Sequence, residues 1–267
     1  MRVQIPASVL LLLLLNGSAN ATSIVVQVDL GKILFAADTR GTKLDVGSKV
    51  TEDTECKIAL LGNAAFAVTG IEDYVQNRLD DPVASWDSRS DAREAYMEHR
   101  GDLVAMSDDW AARAKQHYLS FYFANPARVK QLAQANEKNI LLAGFFSGFQ
   151  DGKAILLLRW LYLDEHELSP IVDNQRVLSA RELPYTSNGV TNELIEGHSE
   201  KTNAANAAWA KESRSIPLSS EAFRRVEFLI QFTANYDQTV GTRVNVLEIV
   251  RHKAPRWLQN FTCSSAE

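Results

Sequence analysis

The sequence predicts an α+β protein with layered sheets, and three observations carry that expectation. Strand patterns come first, then a polar helical stretch, then strands, helices and a closing strand, so the two kinds of element are segregated rather than alternating. The early strands are apolar on both faces, as strands buried between two layers are. No internal repeat or low-complexity linker divides the chain, so the elements belong to one domain, expected over 22–262, with 263–267 as a flexible tail.

Residues 1–21 stand outside that domain. Arg2 gives a positive start, residues 9–15 a short apolar run, and Ala19-Asn20-Ala21 an A-x-A cleavage site, the pattern of a secretory signal. The run is far below the ~20 residues needed to span a bilayer, which weighs against an uncleaved anchor. The expectation is an exported protein, periplasmic or extracellular, with Thr22 as its first mature residue and no membrane attachment after cleavage.

The first strand, 22–28, is rich in β-branched residues: Ile24, Val25, Val26 and Val28. Asp29-Leu30-Gly31 reads as a three-residue turn and 32–38 as a second strand. With that turn residue 28 lies opposite 32, which sets Thr22 opposite Asp38. A third strand, 56–61, and a fourth, 64–69, join at Gly62-Asn63. From 71 to 138 the chain reads as polar and helical, punctuated by Pro82 and Pro126, with apolar residues at three- and four-residue steps over 91–123. Strands return at 140–146 and 154–163. Helices follow around 204–211 and at 219–235, the latter with Ser219-Ser220-Glu221 for capping and Ala222, Phe223, Val226, Leu229 and Ile230 as its apolar face. A last strand covers 243–250.

At 46% hydrophobic and 23% charged, the composition is that of an ordinary globular chain. Loss of Arg2 with the signal makes the net charge one unit more negative than the −5 of the whole sequence. Such mild acidity offers no footprint for nucleic acid or anionic lipid. Of the two cysteines, Cys56 sits in a strand pattern and Cys263 in a polar tail. Export permits a bond between them, those surroundings weigh against one, and the pairing stays open.

An N-terminal threonine brings a nucleophile and a base in one residue. Its hydroxyl is weak alone, but its own α-amine, with an ordinary pKa of about 7.7–8.0, can accept the proton. An internal threonine has an amide there instead, so cleavage after Ala21 would switch the chemistry on.

The stretches "TSIVVQVDLGKILFAADTRGT" and "CKIALLGNAAFAVTG" resemble the start of a proteasome β-type subunit, an N-terminal-nucleophile (Ntn) hydrolase. The matching elements are Thr22, then Asp38-Thr39-Arg40-Gly41-Thr42, then Lys57-Ile58. Lys57 falls three residues later than the family pattern, which is assigned to a longer 41–55 connection. "ILLAGF" at 140–145 is similar to the family's middle strand, and "YDQTVGTRVNVLEI" at 236–249 to its D-x-x-S-G-G-x-V segment. There Asp237 holds the acidic position, while Val240 replaces the family's serine and Thr242 a glycine; another family serine falls near Ser187-Asn188-Gly189. The resemblance implies a four-layer αββα sandwich.

It also implies roles. Thr22 Oγ1 would attack a carbonyl carbon to form an acyl-enzyme, with Lys57 paired to Asp38 and favouring the developing alkoxide. The Gly70 N–H would contribute to an oxyanion hole, and Arg40 would hold the loop carrying Asp38. No cofactor and no metal is implied. The expected substrate is a peptide or unfolded protein and the expected assembly at most a homo-oligomer; no ATPase partner is expected, because the exterior lacks ATP. Two rivals stand beside this reading: a small-molecule amidase or acylase on the same fold, and a catalytically silent assembly subunit, to which the loss of serine at Val240 points.

Other motifs are weaker. The acids around His166 in "LDEHELSP" include no second histidine at metal-ligand spacing and read as a solvated loop. No G-x-S-x-G or phosphate-binding glycine loop occurs, and Asn260-Phe261-Thr262 is a sequon meaningful only in a eukaryotic host.

Overall fold

The computed structural model describes residues 22–28, 31–45, 48–70, 73–78, 81–134, 139–179, 192–196, 208, 211, 222–238 and 240–263. The signal segment, the Ser187-Asn188-Gly189 position and residues 264–267 lie outside these. So does the helix expected over 204–211, apart from Ala208 and Lys211, which are helical.

Apolar β-branched runs build the centre of a first antiparallel sheet, β1 (Ile24–Val28) against β2 (Lys32–Asp38). Outside β1 lies β12 (Asn192–Glu196); outside β2 lie β13 (Val244–Val250) and then β14 (Arg256–Gln259). A second five-stranded antiparallel sheet runs from its edge in the order β5 (Ile58–Leu61), β6 (Ala64–Gly70), β9 (Ile140–Gln150), β10 (Lys153–Leu163) and β11 (Ile171–Ser179). Two hairpins stand apart, β3 (Gly41–Asp45) with β4 (Ser48–Glu52), and β7 (Asp73–Arg78) with β8 (Asp81–Asp87).

Four helices complete the described elements. Helix α1 (Ser88–Glu98) starts at Asp87, whose carboxylate accepts from the Arg89 N–H. Helix α2 (Leu103–Ala124) is capped by Asp102, which accepts from Val104 and Ala105. Helix α3 (Pro126–Gln134) opens on proline, whose missing N–H costs nothing in a first turn. The three- and four-residue steps in α2 put Leu103, Met106, Trp110, Ala114 and Tyr118 on one buried face, against Phe66 and Phe146 of the second sheet. Helix α4 (Ala222–Tyr236) lays Val226, Leu229 and Ile230 over Val25, Leu34 and Ala36 of the first sheet. Between the sheets lies a third cluster: Ile24, Val26, Val28, Ile33 and Phe35 meet Ala65, Ala67, Phe145, Leu156 and Leu158. Full burial of one such large side chain stabilises by about 2 kcal/mol. Among the described residues no helix is long and apolar enough to cross a membrane.

The structure corrects several expectations. The β1–β2 register pairs Val28 with Ile33 and Ile24 with Ala37, one residue away from the expected pairing. Ser23, not Thr22, therefore stands opposite Asp38. The reason is Lys32: directly opposed residues share a face, and the expected pairing would press Lys32 against Val28 in the inter-sheet core. The extra loop residue puts Ile33 there instead, and Lys32 is half-buried. The stretch from 71 is not helical until Ser88, because β7 and β8 form a hairpin first; Pro82 is tolerated on this two-stranded ribbon, where one side of each strand needs no partner. Strand β9 runs four residues further than expected, and β14 follows the strand expected to be last.

Cys56 and Cys263 are bonded to each other, 207 residues apart in sequence. Cys263 is buried, so the fold includes it rather than stopping at Thr262. In the chain-entropy account a loop of this length destabilises the unfolded chain by about 5 kcal/mol.

Candidate active site

The end of the sandwich where β1 begins and β2 ends gathers the residues singled out from sequence. Asp38, the last residue of β2, is wholly buried. Its N–H donates to the Ser23 carbonyl at 3.2 Å, and the Ser23 N–H donates back to Asp38 Oδ1 at 2.9 Å. Thr22 is the next residue outward on that strand, and it too is buried. It continues the alternation of Ile24, Val26 and Val28, which line the space between the sheets.

Lys57 enters from the second sheet, one residue before β5. It is 2% exposed, and its Nζ donates to Asp38 Oδ1 at 3.0 Å and Oδ2 at 3.1 Å. Two main-chain groups complete the cradle: the N–H of Arg40 reaches Oδ2 at 3.1 Å and that of Gly241 reaches it at 2.9 Å. A buried charge is tolerated only when paired and hydrogen-bonded, and this carboxylate is both. Removal of either partner would leave an uncompensated charge, at about 3–5 kcal/mol.

Arg40 holds the surrounding loop, as expected. Its guanidinium donates to both oxygens of Asp53, at 2.7 and 3.0 Å, and to the Gln238 carbonyl at 2.7 Å. The hydrogen bond from Arg40, with its charge, holds the Asp53 carboxyl below its ordinary range. Gly241 is required by close approach: a Cβ there would lie 2.9 Å from Arg40 Cβ and 3.1 Å from Asp53 Oδ1. Only glycine lets that N–H come down on Asp38.

Asp237 is buried just after α4. Its carbonyl accepts from the Val240 N–H at 3.0 Å, forming the turn that delivers Gly241. Val240 packs into the core under α4, with Val226 and Leu229. Gly70 ends β6 with φ at 105°, and a Cβ there would meet the Leu141 carbonyl oxygen at 2.4 Å, so this position too needs glycine. The β5–β6 register pairs Ile58 with Ala67, which brings the end of β6 to the edge from which Lys57 enters. The structure thus joins Asp38, Lys57 and the start of β1 directly, while the Asp237 carbonyl shapes the turn that leads to Gly241.

The Ser23, Arg40 and Gly241 N–H groups were not foreseen as partners of Asp38. A main-chain donor has no residue-type signature, and the one available signal was glycine in the segment after Asp237. Thr39 Oγ1 and Thr69 Oγ1 are buried and have no hydrogen-bond partner among the described residues.

The chain matches no family model and no curated protein. The reading of the site therefore rests on its geometry and on the sequence resemblance.

Among the described residues one group of potential ligands lies close enough to hold a metal, Glu98, His99 and Asp109. Arg113 already fills it, donating to Glu98 at 2.8 Å and to both oxygens of Asp109 at 3.0 and 3.1 Å. His166 is exposed, with its N–H on Asp164 Oδ1 at 3.0 Å, as a solvated loop would have it.

Proposed function

We propose that this chain is an exported, proteasome-like Ntn hydrolase that cleaves amide bonds, in peptides or unfolded protein, through an acyl-enzyme on Thr22. The observation that carries the reading is the buried Asp38–Lys57 pair at the head of the strand that Thr22 begins. The order of packing, helices on one sheet, sheet on sheet and a helix on the other, supports a four-layer αββα sandwich of the Ntn type.

In this mechanism signal-peptide removal frees the Thr22 amine, which takes the proton of Thr22 Oγ1 as the oxygen attacks the carbonyl carbon and returns it to the leaving amine as the C–N bond breaks. The Lys57 ammonium, held by Asp38, favours the developing alkoxide, and the Gly70 N–H faces the oxyanion. Water then releases the acyl group, with the same amine as base. Replacement of the family's serine by Val240 does not remove the carboxylate's support, because Gly241 supplies its N–H to Asp38.

The test begins with the N-terminus and intact mass of the exported protein, expected to start at Thr22. A β-lactone or peptide epoxyketone should then add its mass to the peptide beginning there. Thr22→Ala should fold but take no label, and Thr22→Ser should keep part of the activity. One extra residue before Thr22 should be as damaging as Thr22→Ala, because the base becomes an amide. Turnover by that extended form would place the nucleophile elsewhere. A labelled protein that cleaves small amides but no peptide would favour the amidase rival.

A further inference from the structure

Two adjacent residues tie the sheets together at the site. Lys57 reaches Asp38 on the first sheet, and Cys56 is bonded to Cys263, which follows β14 of that same sheet. Both residues precede β5, which among the described strands pairs only with β6, and its first paired residue there is Ile58. Sheet hydrogen bonding therefore stops short of Lys57.

Residues 55–57 are held by other means. The Glu55 N–H donates to the Thr39 carbonyl at 2.9 Å, and Arg89 Nη1 donates to the Cys56 carbonyl at 2.7 Å. Further ties come from the C-terminal hook, 260–263. Thr262 Oγ1 donates to the Glu55 carbonyl at 2.8 Å, and the disulfide fixes Cys56. The hook is itself pinned to β13. Asn245, wholly buried, donates through Nδ2 to Thr262 Oγ1 at 2.7 Å and to Cys263 Sγ at 3.2 Å, and its Oδ1 accepts from the Phe261 N–H at 2.7 Å. Asn260 closes the turn, donating to the Cys263 carbonyl at 2.7 Å and accepting from its N–H at 2.8 Å.

We propose that this hook positions the Lys57 ammonium, with Thr262 and Cys263 as positioning residues, and that opening the Cys56–Cys263 bond lowers turnover while the sandwich remains folded. The proposal rests on reading Thr22, Asp38 and Lys57 as a hydrolytic centre. Lys57 hangs on a segment outside the ladder, so its height over Asp38 is set by what grips residues 55 and 56. A reactive group displaced by about 1 Å can lose on the order of 100-fold in rate. A dithiol opens the bond by exchange: it is oxidised to its own disulfide, and its two hydrogens leave Cys56 and Cys263 as thiols.

The experiment compares Thr262→Val, Thr262→Ser, Cys263→Ser and dithiothreitol-treated wild type. The readouts are kcat and KM on a peptide amide, β-lactone labelling of Thr22, and the thermal midpoint. Thr262→Val and bond opening should lower kcat about tenfold or more with KM unchanged. Thr262→Ser, which keeps the hydroxyl, should restore kcat. Wild-type kcat in Thr262→Val and Cys263→Ser would overturn the proposal. So would loss that tracks global unfolding, or a Thr262→Val protein that fails to fold, since the hook would then hold the sandwich rather than Lys57. If wild type takes no label, the hydrolytic reading has failed, and hydrogen exchange over 55–61 decides on the hook: faster exchange in Thr262→Val supports it, and unchanged exchange refutes it.

Discussion

Asp38 and Asp91 are both largely removed from water, and their surroundings differ. Asp38 takes two contacts from Lys57 Nζ and three from main-chain N–H groups, one of them only two residues away and the others on separate segments of the chain. Asp91, in the first turn of α1, accepts one hydrogen bond from Trp86 Nε1 at 2.7 Å, and His117 Nε2 stands 3.9 Å away, beyond hydrogen-bond reach. Burial accordingly pushes the Asp91 carboxyl above its ordinary range, with Trp86 and His117 opposing this in part. The lesson is one of donor supply. At Asp38 the fold brings in a cation and fixed dipoles, at the cost of two glycine-restricted approaches nearby; at Asp91 it asks a carboxyl only to hold an indole in place.

The largest effect expected from breaking this contrast is that of Lys57→Ala. It leaves Asp38 charged and buried with main-chain donors alone, so turnover should vanish and stability fall by about 3–5 kcal/mol in urea unfolding. Wild-type turnover in that variant would show that Lys57 lacks the role proposed for it. Gly241→Ala comes next. Its methyl meets Arg40 and Asp53, so a loss of about 1–3 kcal/mol is expected, together with reduced activity as the Gly241 N–H leaves Asp38.

Asp53→Asn should matter less, by under about 1 kcal/mol, since the Arg40–Asp53 pair is partly exposed. Its sign is set by linkage. The folded pKa of Asp53 is lowered, so its contribution is present above the ordinary aspartate range and is lost as pH falls through the folded value. Wild type and variant should therefore converge in acid. Asp91→Asn should have the smallest effect, and one of opposite sign. The folded pKa of Asp91 is raised, so the native state is penalised once pH exceeds the ordinary aspartate value. An amide that still accepts from Trp86 removes that penalty. Thermal midpoints should be slightly higher in the variant at neutral pH and equal at low pH; a lower midpoint at neutral pH would mean that Asp91 is a paired charge after all.

The strands carrying Thr22, Asp38 and Lys57 were legible because they are apolar β-branched runs bounded by turn residues. The register was not legible to the residue. It turned on whether Lys32 belonged to the loop or the ladder, which the facing layer decides. The hairpins β3–β4 and β7–β8 escaped because their sequences are largely polar and lack a sustained alternation of apolar residues. Cys263 looked like part of a tail because its neighbours Asn260 and Thr262 are polar, yet those groups are the hydrogen-bonding parts of the hook. The donors to Asp38 were hidden for the same kind of reason: three of them are backbone, and backbone is written identically at every position.

The Gly241 N–H on Asp38, together with the Thr39 N–H on the Arg243 carbonyl, has a consequence for the order of events during synthesis. Thr22, Asp38 and Lys57 all leave the ribosome early, but the Gly241 N–H that completes the cradle of Asp38 is delivered only with the last strands. A nascent or truncated chain ending before Gly241 would carry Thr22, Asp38 and Lys57 but an incomplete set of donors to Asp38. Under the proposed function, completion of the polypeptide is thus itself a licensing step.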